Sequence, residues 1–157
     1  MTKLRRWIEL SAGERTLLAR AAVLLPVARL AIAMWGFNRA HRLFLRVFAK
    51  PSRAAAPPGD SRRCGQTAMK MVSIAAVHGA CQANCLPRSL VTWALLRQQG
   101  FDPALRFGAR RRAGEIEAHA WVMLGAAALD ATAAGLDEAF VPFSGSRQPN
   151  GFNSVVR

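Results

Sequence analysis

Along the chain, apolar and polar positions first follow a helical period and then a strand period. Ser11 followed three residues later by Glu14 has the sense of a capping box, and the apolar run behind it predicts a helix over residues 12–25. Pro26 bends or restarts that helix, and residues 27–50 form a second one. At about 100° per residue, Phe37, His41, Phe44 and Phe48 fall on one face of it and Arg39, Arg42 and Arg46 on another. This pattern describes an amphipathic helix whose aromatic stripe, His41 included, packs on a core. Residues 51–63 carry three prolines, a glycine and scattered charges and read as a linker. A helix is expected over 68–77 and a loop over 79–84. Pro87 near its start and Gly100 past its end then bracket a helix with Leu86, Leu90, Trp93 and Ala94 on one apolar face and Cys85 at its N-terminus. After Gly100 the period becomes two, which predicts strands over 104–110, 117–124 and 127–131. Residues 144–157 read as a tail. Helices followed by hairpin-linked strands make an α+β fold: a helix bearing the cysteine packed on an antiparallel sheet.

Composition narrows the picture only a little. The 157 residues suit one catalytic domain of residues 64–143, with the helical region of residues 1–50 packed on it; the content is 52% hydrophobic and 20% charged, neither disordered nor membrane-like. The net charge of +13, from 22 basic and 9 acidic residues, attracts polyanions and brings nucleic acid into consideration. Cys64, Cys81 and Cys85 are an odd, clustered set unlike a disulfide framework, and they fit a reducing bacterial cytoplasm. The basic start and the apolar stretch of residues 17–37 resemble a signal peptide or a membrane span. Arg20, Pro26 and Arg29 interrupt that stretch, and a transmembrane segment is not expected.

The chemistry gathers around Cys85. A cysteine nucleophile acts as thiolate, which the unpaired N–H groups and positive dipole end of a helix N-terminus favour. The same N–H groups can hold an oxyanion, with Gln82 or Asn84 as side-chain donors. His119 lies within the apolar strand segment Ala118-His119-Ala120-Trp121-Val122, and Asp130 lies on the next strand. A hairpin loop with an even number of residues puts His119 and Asp130 on one face; an odd loop separates them. Trp121 shares the face of His119 and either shields a His–Asp hydrogen bond or packs against the cysteine helix. Cys85 as nucleophile, His119 as general base and Asp130 as its orienting group then form an acyl-transfer triad that needs no cofactor and no metal.

Cys85-Leu86-Pro87-Arg88-Ser89-Leu90, Leu95-Leu96-Arg97 with Gly100, the Ala118–Val122 strand and Asp130 eleven residues after His119 together resemble the transglutaminase-like core of lasso-peptide B proteins. These are leader peptidases of lasso-peptide biosynthesis. The resemblance covers residues 64–143 and, more loosely, the N-terminal helices. It implies a papain-like or transglutaminase-like fold and removal of the leader from a ribosomally made precursor peptide. It also implies a separate ATP-dependent lasso cyclase that closes the macrolactam. Many such proteins carry or work with a small winged-helix-like domain that grips the leader. Residues 1–60 read as helices without the strands of that domain, so a separate leader-binding protein is expected.

Two readings of another class compete. His78, Cys81 and Cys85, with Cys64 nearby, supply four possible zinc ligands. Their spacing matches no common finger, and a zinc site leaves His119 and Asp130 without a role. Arg62 and Arg63, Arg110 to Arg112 and the arginine face of residues 39–46 could meet phosphates, yet they are scattered and lack interleaved aromatics for base stacking. A third reading keeps the triad and lets an amine, in place of water, intercept the thioester.

Overall fold

The computed structural model describes residues 10–48, 61–79, 83–112, 115–129 and 141–142. Four helices, α1 (Ala12–Trp35), α2 (Phe37–Val47), α3 (Ser61–His78) and α4 (Cys85–Gln98), precede an antiparallel sheet. Its strands are β1 (Pro103–Arg112), β2 (Glu115–Leu124), β3 (Ala127–Ala128) and β4 (Val141–Pro142), in the order β3-β2-β1-β4. The α+β expectation holds. The linker reading meets α3 at Ser61, and its residues 51–60 lie outside the described residues, as does the tail of 144–157.

The first helix departs from the sequence reading. Ser11 and Glu14 do form the capping box, with Ser11 N donating to Glu14 Oε2 at 2.9 Å and Glu14 N to Ser11 Oγ at 3.2 Å. The chain then runs helically through Pro26 to Trp35. Proline removes only the donor that would reach the carbonyl of Ala22, and Ala22 lies on an exposed position where water can take its place. The break falls at Gly36, whose φ of 74° suits a residue without a Cβ; it caps α1 and opens α2. By length and apolarity α1 also passes the test for a membrane span, an 18-residue stretch of it having mean hydropathy 1.9, despite its arginines. Here one face of it, Leu18, Ala21, Leu25 and Ala28, enters the core, while Val23, Val27, Leu30 and Met34 line up exposed on the other.

On α2 the expected division is present, with Phe44 buried, Phe37, His41 and Phe48 half-buried, and Arg39, Arg42 and Arg46 exposed. His41 stacks on Phe37 at 5.5 Å and meets Trp93 edge-on at 5.2 Å. Its Nε2 is buried without a hydrogen-bond partner among the described residues.

Helix α4 is the centre of the molecule. Every residue from Ser89 to Leu96 is buried, as is Pro87. Leu90, Val91, Trp93, Ala94, Leu95 and Leu96 join α1, α3 and the inward sheet face, Leu105, Val122 and Leu129, in one core. Two hydrogen bonds set its height along the sheet: Ser89 Oγ donates to the Ala120 carbonyl at 2.8 Å, and Trp93 Nε1 donates to the Pro103 carbonyl at 2.9 Å. Since Pro103 pairs with Leu124, α4 advances along β2 in the direction of that strand. A third bond, Arg88 Nη2 to Ser73 Oγ at 2.7 Å, ties its first turns to α3.

Two consequences can be measured. Burial, and then the charge of Arg97, hold His41 below the ordinary histidine value of 6.5. The folded chain refuses a proton that the unfolded chain takes up, so stability is full above about pH 6.5 and falls as pH drops through lower values. The urea midpoint should therefore fall between about pH 7 and pH 5, and His41→Phe, which keeps the ring contacts and removes the unpaired nitrogen, should flatten that fall. Ser89→Ala should cost about 1–3 kcal/mol in denaturant unfolding, because it strands a buried carbonyl.

Candidate active site

Cys85 is the first residue of α4, preceded by the N-cap Asn84, whose backbone is extended and whose side chain makes no capping hydrogen bond. Nothing from the cap therefore occupies the first amides. Pro87 has no N–H, and Arg88 N makes the first intrahelical bond, to the Asn84 carbonyl at 3.4 Å. The N–H groups of Cys85 and Leu86, in the first turn, have no carbonyl of the helix to reach, and the Asn84 side chain does not cap them. Of the two side chains expected to supplement them, Asn84 is exposed at the mouth and Gln82 lies outside the described residues.

His119 sits half-buried on β2 opposite Gly108 of β1. Alternation along the strand puts His119, Trp121 and Met123 on the sheet face away from the main core. Trp121, 1% exposed, packs with Met123 and Ala128 in a small cluster of its own, and its ring lies 6.2 Å from that of His119 at an interplanar angle of 15°. Trp121 lies beside the histidine ring and outside the core that holds α4; the His–Asp hydrogen bond it was expected to shield involves Asp130, which lies outside the described residues.

The Ser89–Ala120 bond brings the two regions together. Carbonyls two residues apart leave a strand on the same edge. Val122 O accepts from Leu129 N at 3.0 Å on the β3 side, so Ala120 O points to that edge too. There Ser89 Oγ donates to it. Cys85 lies one turn before Ser89 on α4, and His119 immediately precedes Ala120 on β2; because helix and strand advance together, the cysteine end of α4 lies at the histidine end of the edge. Sequence reasoning placed Ser89 inside the familiar motif without giving it work. The available signal was a small hydroxyl one turn after Cys85, next to the apolar pair Leu90-Val91.

The β2–β3 hairpin satisfies the parity condition. Met123 pairs with Ala128 and Leu124 with Ala127, which leaves a two-residue loop that Gly125 enters at φ 61°. Asp130 and the remainder of the strand expected to end at residue 131 lie outside the described residues.

The rival zinc set does not assemble around Cys64. Cys64 and His78 lie fourteen residues apart on the one helix α3, about 21 Å along its axis. Among the described residues no three His, Cys, Asp or Glu side chains gather as metal ligands, and Cys81 lies outside them. The arginines remain dispersed: Arg39, Arg42 and Arg46 on α2, Arg62 and Arg63 at the start of α3, and Arg110 paired across the hairpin with Glu117 at 2.7 Å.

No curated protein and no solved structure gives a match to the chain. The family model of the transglutaminase-like superfamily matches residues 15–144, from the first turns of α1 to just beyond β4, and the chain belongs to that superfamily.

Proposed function

We propose that the chain is a cysteine peptidase with Cys85 as nucleophile, His119 as general base and Asp130 as the group that orients His119. The observation that carries this reading is the open start of α4, with Cys85 as its first residue, fastened through Ser89 to the strand position next to His119. The superfamily includes cysteine peptidases and commonly uses cysteine-based catalysis. Helix α4 packs on the inner sheet face and alternation puts His119 on the outer one, so this reading has the two side chains meet around the edge of β2 at which Ser89 bonds Ala120. The even hairpin loop is the length a His119–Asp130 pair requires.

In the reaction, the imidazole of His119 takes the thiol proton as Cys85 Sγ bonds to the scissile carbonyl carbon. The carbonyl oxygen, now an oxyanion, accepts hydrogen bonds from the N–H groups of Cys85 and Leu86. Collapse breaks the C–N bond, and the imidazolium returns its proton to the leaving amine, leaving a thioester. His119 then deprotonates a water that attacks the thioester, which releases the acid and restores the thiol. Trp121 over the imidazole keeps bulk water from the base.

The substrate we propose is a lasso-peptide precursor, cleaved to remove its leader before a separate cyclase closes the macrolactam. A separate winged-helix-like protein delivers the leader. The motif around Cys85 and the His-Ala-Trp strand support this finer reading.

Cleavage of such a precursor, incubated with the chain and the leader-binding protein and followed by mass spectrometry, is the test. Cys85→Ala and His119→Ala should each lower turnover by about 10⁵–10⁶-fold, whereas Asp130→Ala should leave one to two orders of magnitude more activity, about as in other triads. Unimpaired cleavage by Cys85→Ala would end the assignment. Transfer of the acyl group to an added amine in preference to water would keep the triad and replace hydrolysis.

A further inference from the structure

The start of α4 forms one side of a cleft of about 250 Å³, and the last turns of α1 form the other. Arg29, Ile32 and Ala33 face Asn84, Leu86 and Pro87 across it. Asn84 and Leu86 are the immediate chain neighbours of Cys85, so the cleft borders the turn of α4 that carries the proposed nucleophile. Of the six lining residues among those described, four are apolar, and Arg29 and Asn84 add polar groups, the usual make-up of a site that seats an apolar group and fixes its direction. The volume is below the roughly 300–1,000 Å³ of sites for drug-sized ligands, and it suits one side chain better than a whole cofactor. Both walls are held in place. Leu25, Ala28 and Ala31 anchor α1 on either side of Arg29, and Pro87 and Ser89 are buried at the base of α4.

From this placement we infer that the cleft is a specificity pocket for a branched aliphatic side chain of the peptide substrate, next to the carbonyl that Cys85 attacks. Ile32, Ala33, Leu86 and Pro87 select that side chain, and α1 serves as a wall of the substrate site as well as a layer of the core. The inference rests on the reading of Cys85 as nucleophile.

Three alkylating probes separate the two ideas when the rate of Cys85 modification is followed by peptide mapping of the full chain. Iodoacetamide carries no side chain and reports the thiol alone. Benzyloxycarbonyl-leucyl and benzyloxycarbonyl-glycyl chloromethyl ketones differ in the side chain offered to the cleft; in each, the thiolate displaces chloride and forms a thioether. The leucyl reagent should modify Cys85 at least about tenfold faster than the glycyl one, within the range a few methylenes supply. Ala33 is exposed, so Ala33→Trp can fill the cleft from the α1 side without entering the core. It should bring the leucyl-to-glycyl ratio close to one, each rate being taken relative to the same variant's iodoacetamide rate. Ile32→Ala should instead move the preference from leucyl to the larger phenylalanyl reagent. Equal leucyl and glycyl rates in the unaltered chain, or a leucyl preference that survives Ala33→Trp, would overturn the pocket. Iodoacetamide modification of Cys85 no faster than that of Cys64 would overturn the nucleophile, and the pocket with it.

Discussion

The hydrogen bond from Ser89 Oγ to the Ala120 carbonyl joins two parts of the chain that neither local pattern nor charge would bring together. Its partners are 31 residues apart, and it is buried among apolar side chains, where an unmade bond would leave a costly orphan carbonyl. Geometry follows from that requirement. On the β3 side of β2 the Val122 carbonyl accepts from Leu129 N, and the first turns of α4 bring Ser89 Oγ to the Ala120 carbonyl. With Trp93 fastened to Pro103 further along, the helix can neither slide along the sheet nor rotate without breaking one of two buried bonds. The position of Cys85 relative to His119 is thus an outcome of backbone satisfaction.

Burial on this scale explains which parts of the fold were legible in the sequence. Helix α2 packs by one face only, so Phe44 and the arginines sort cleanly by period and its faces could be read directly. Helix α4 is buried nearly all round, so the face of Leu86, Leu90, Trp93 and Ala94 accounts for only part of what it buries, and α1 is apolar on both faces and shows no phase that says which side meets what. Their ends were legible from caps: Ser11 and Glu14 at the start of α1, Pro87 and Gly100 about α4. Pro26 misled because its cost depends on whether the orphaned carbonyl can reach water, which is a tertiary fact. Gly36 was missed because a glycine between two apolar helical runs gives no sign of its φ until the second helix has somewhere to pack.

The same distinction applies to the site. Cys85 at a helix start and His119 on an apolar strand were visible because each breaks the rule of its surroundings. The hairpin parity could be posed as a condition, and the observed register meets it. Ser89 obeys no periodicity and looks like a tolerated small residue; its work depends on a carbonyl 31 positions away. Spacing likewise made Cys64 look like a neighbour of His78, whereas a continuous α3 holds them at its two ends.

The starts of α1 and α4 are finished differently. At α1 the capping box satisfies the first amides and costs nothing in function. At α4 Asn84, a residue well suited to capping, leaves its side chain off the helix, a choice that forgoes about 1 kcal/mol of the stabilisation such a cap provides. Pro87 then removes one further donor, without breaking a bond, because a first-turn N–H has no carbonyl to reach. What survives is a pair of adjacent amides at Cys85 and Leu86 on a helix whose position is fixed by burial and not by its cap. Such an end is stable only because Ser89 to Leu96 are packed so completely that the helix does not depend on its first turn. The core thus stabilises a helix end that its N-cap side chain leaves uncapped, and the proposed role of Cys85 uses the first-turn amides of that end.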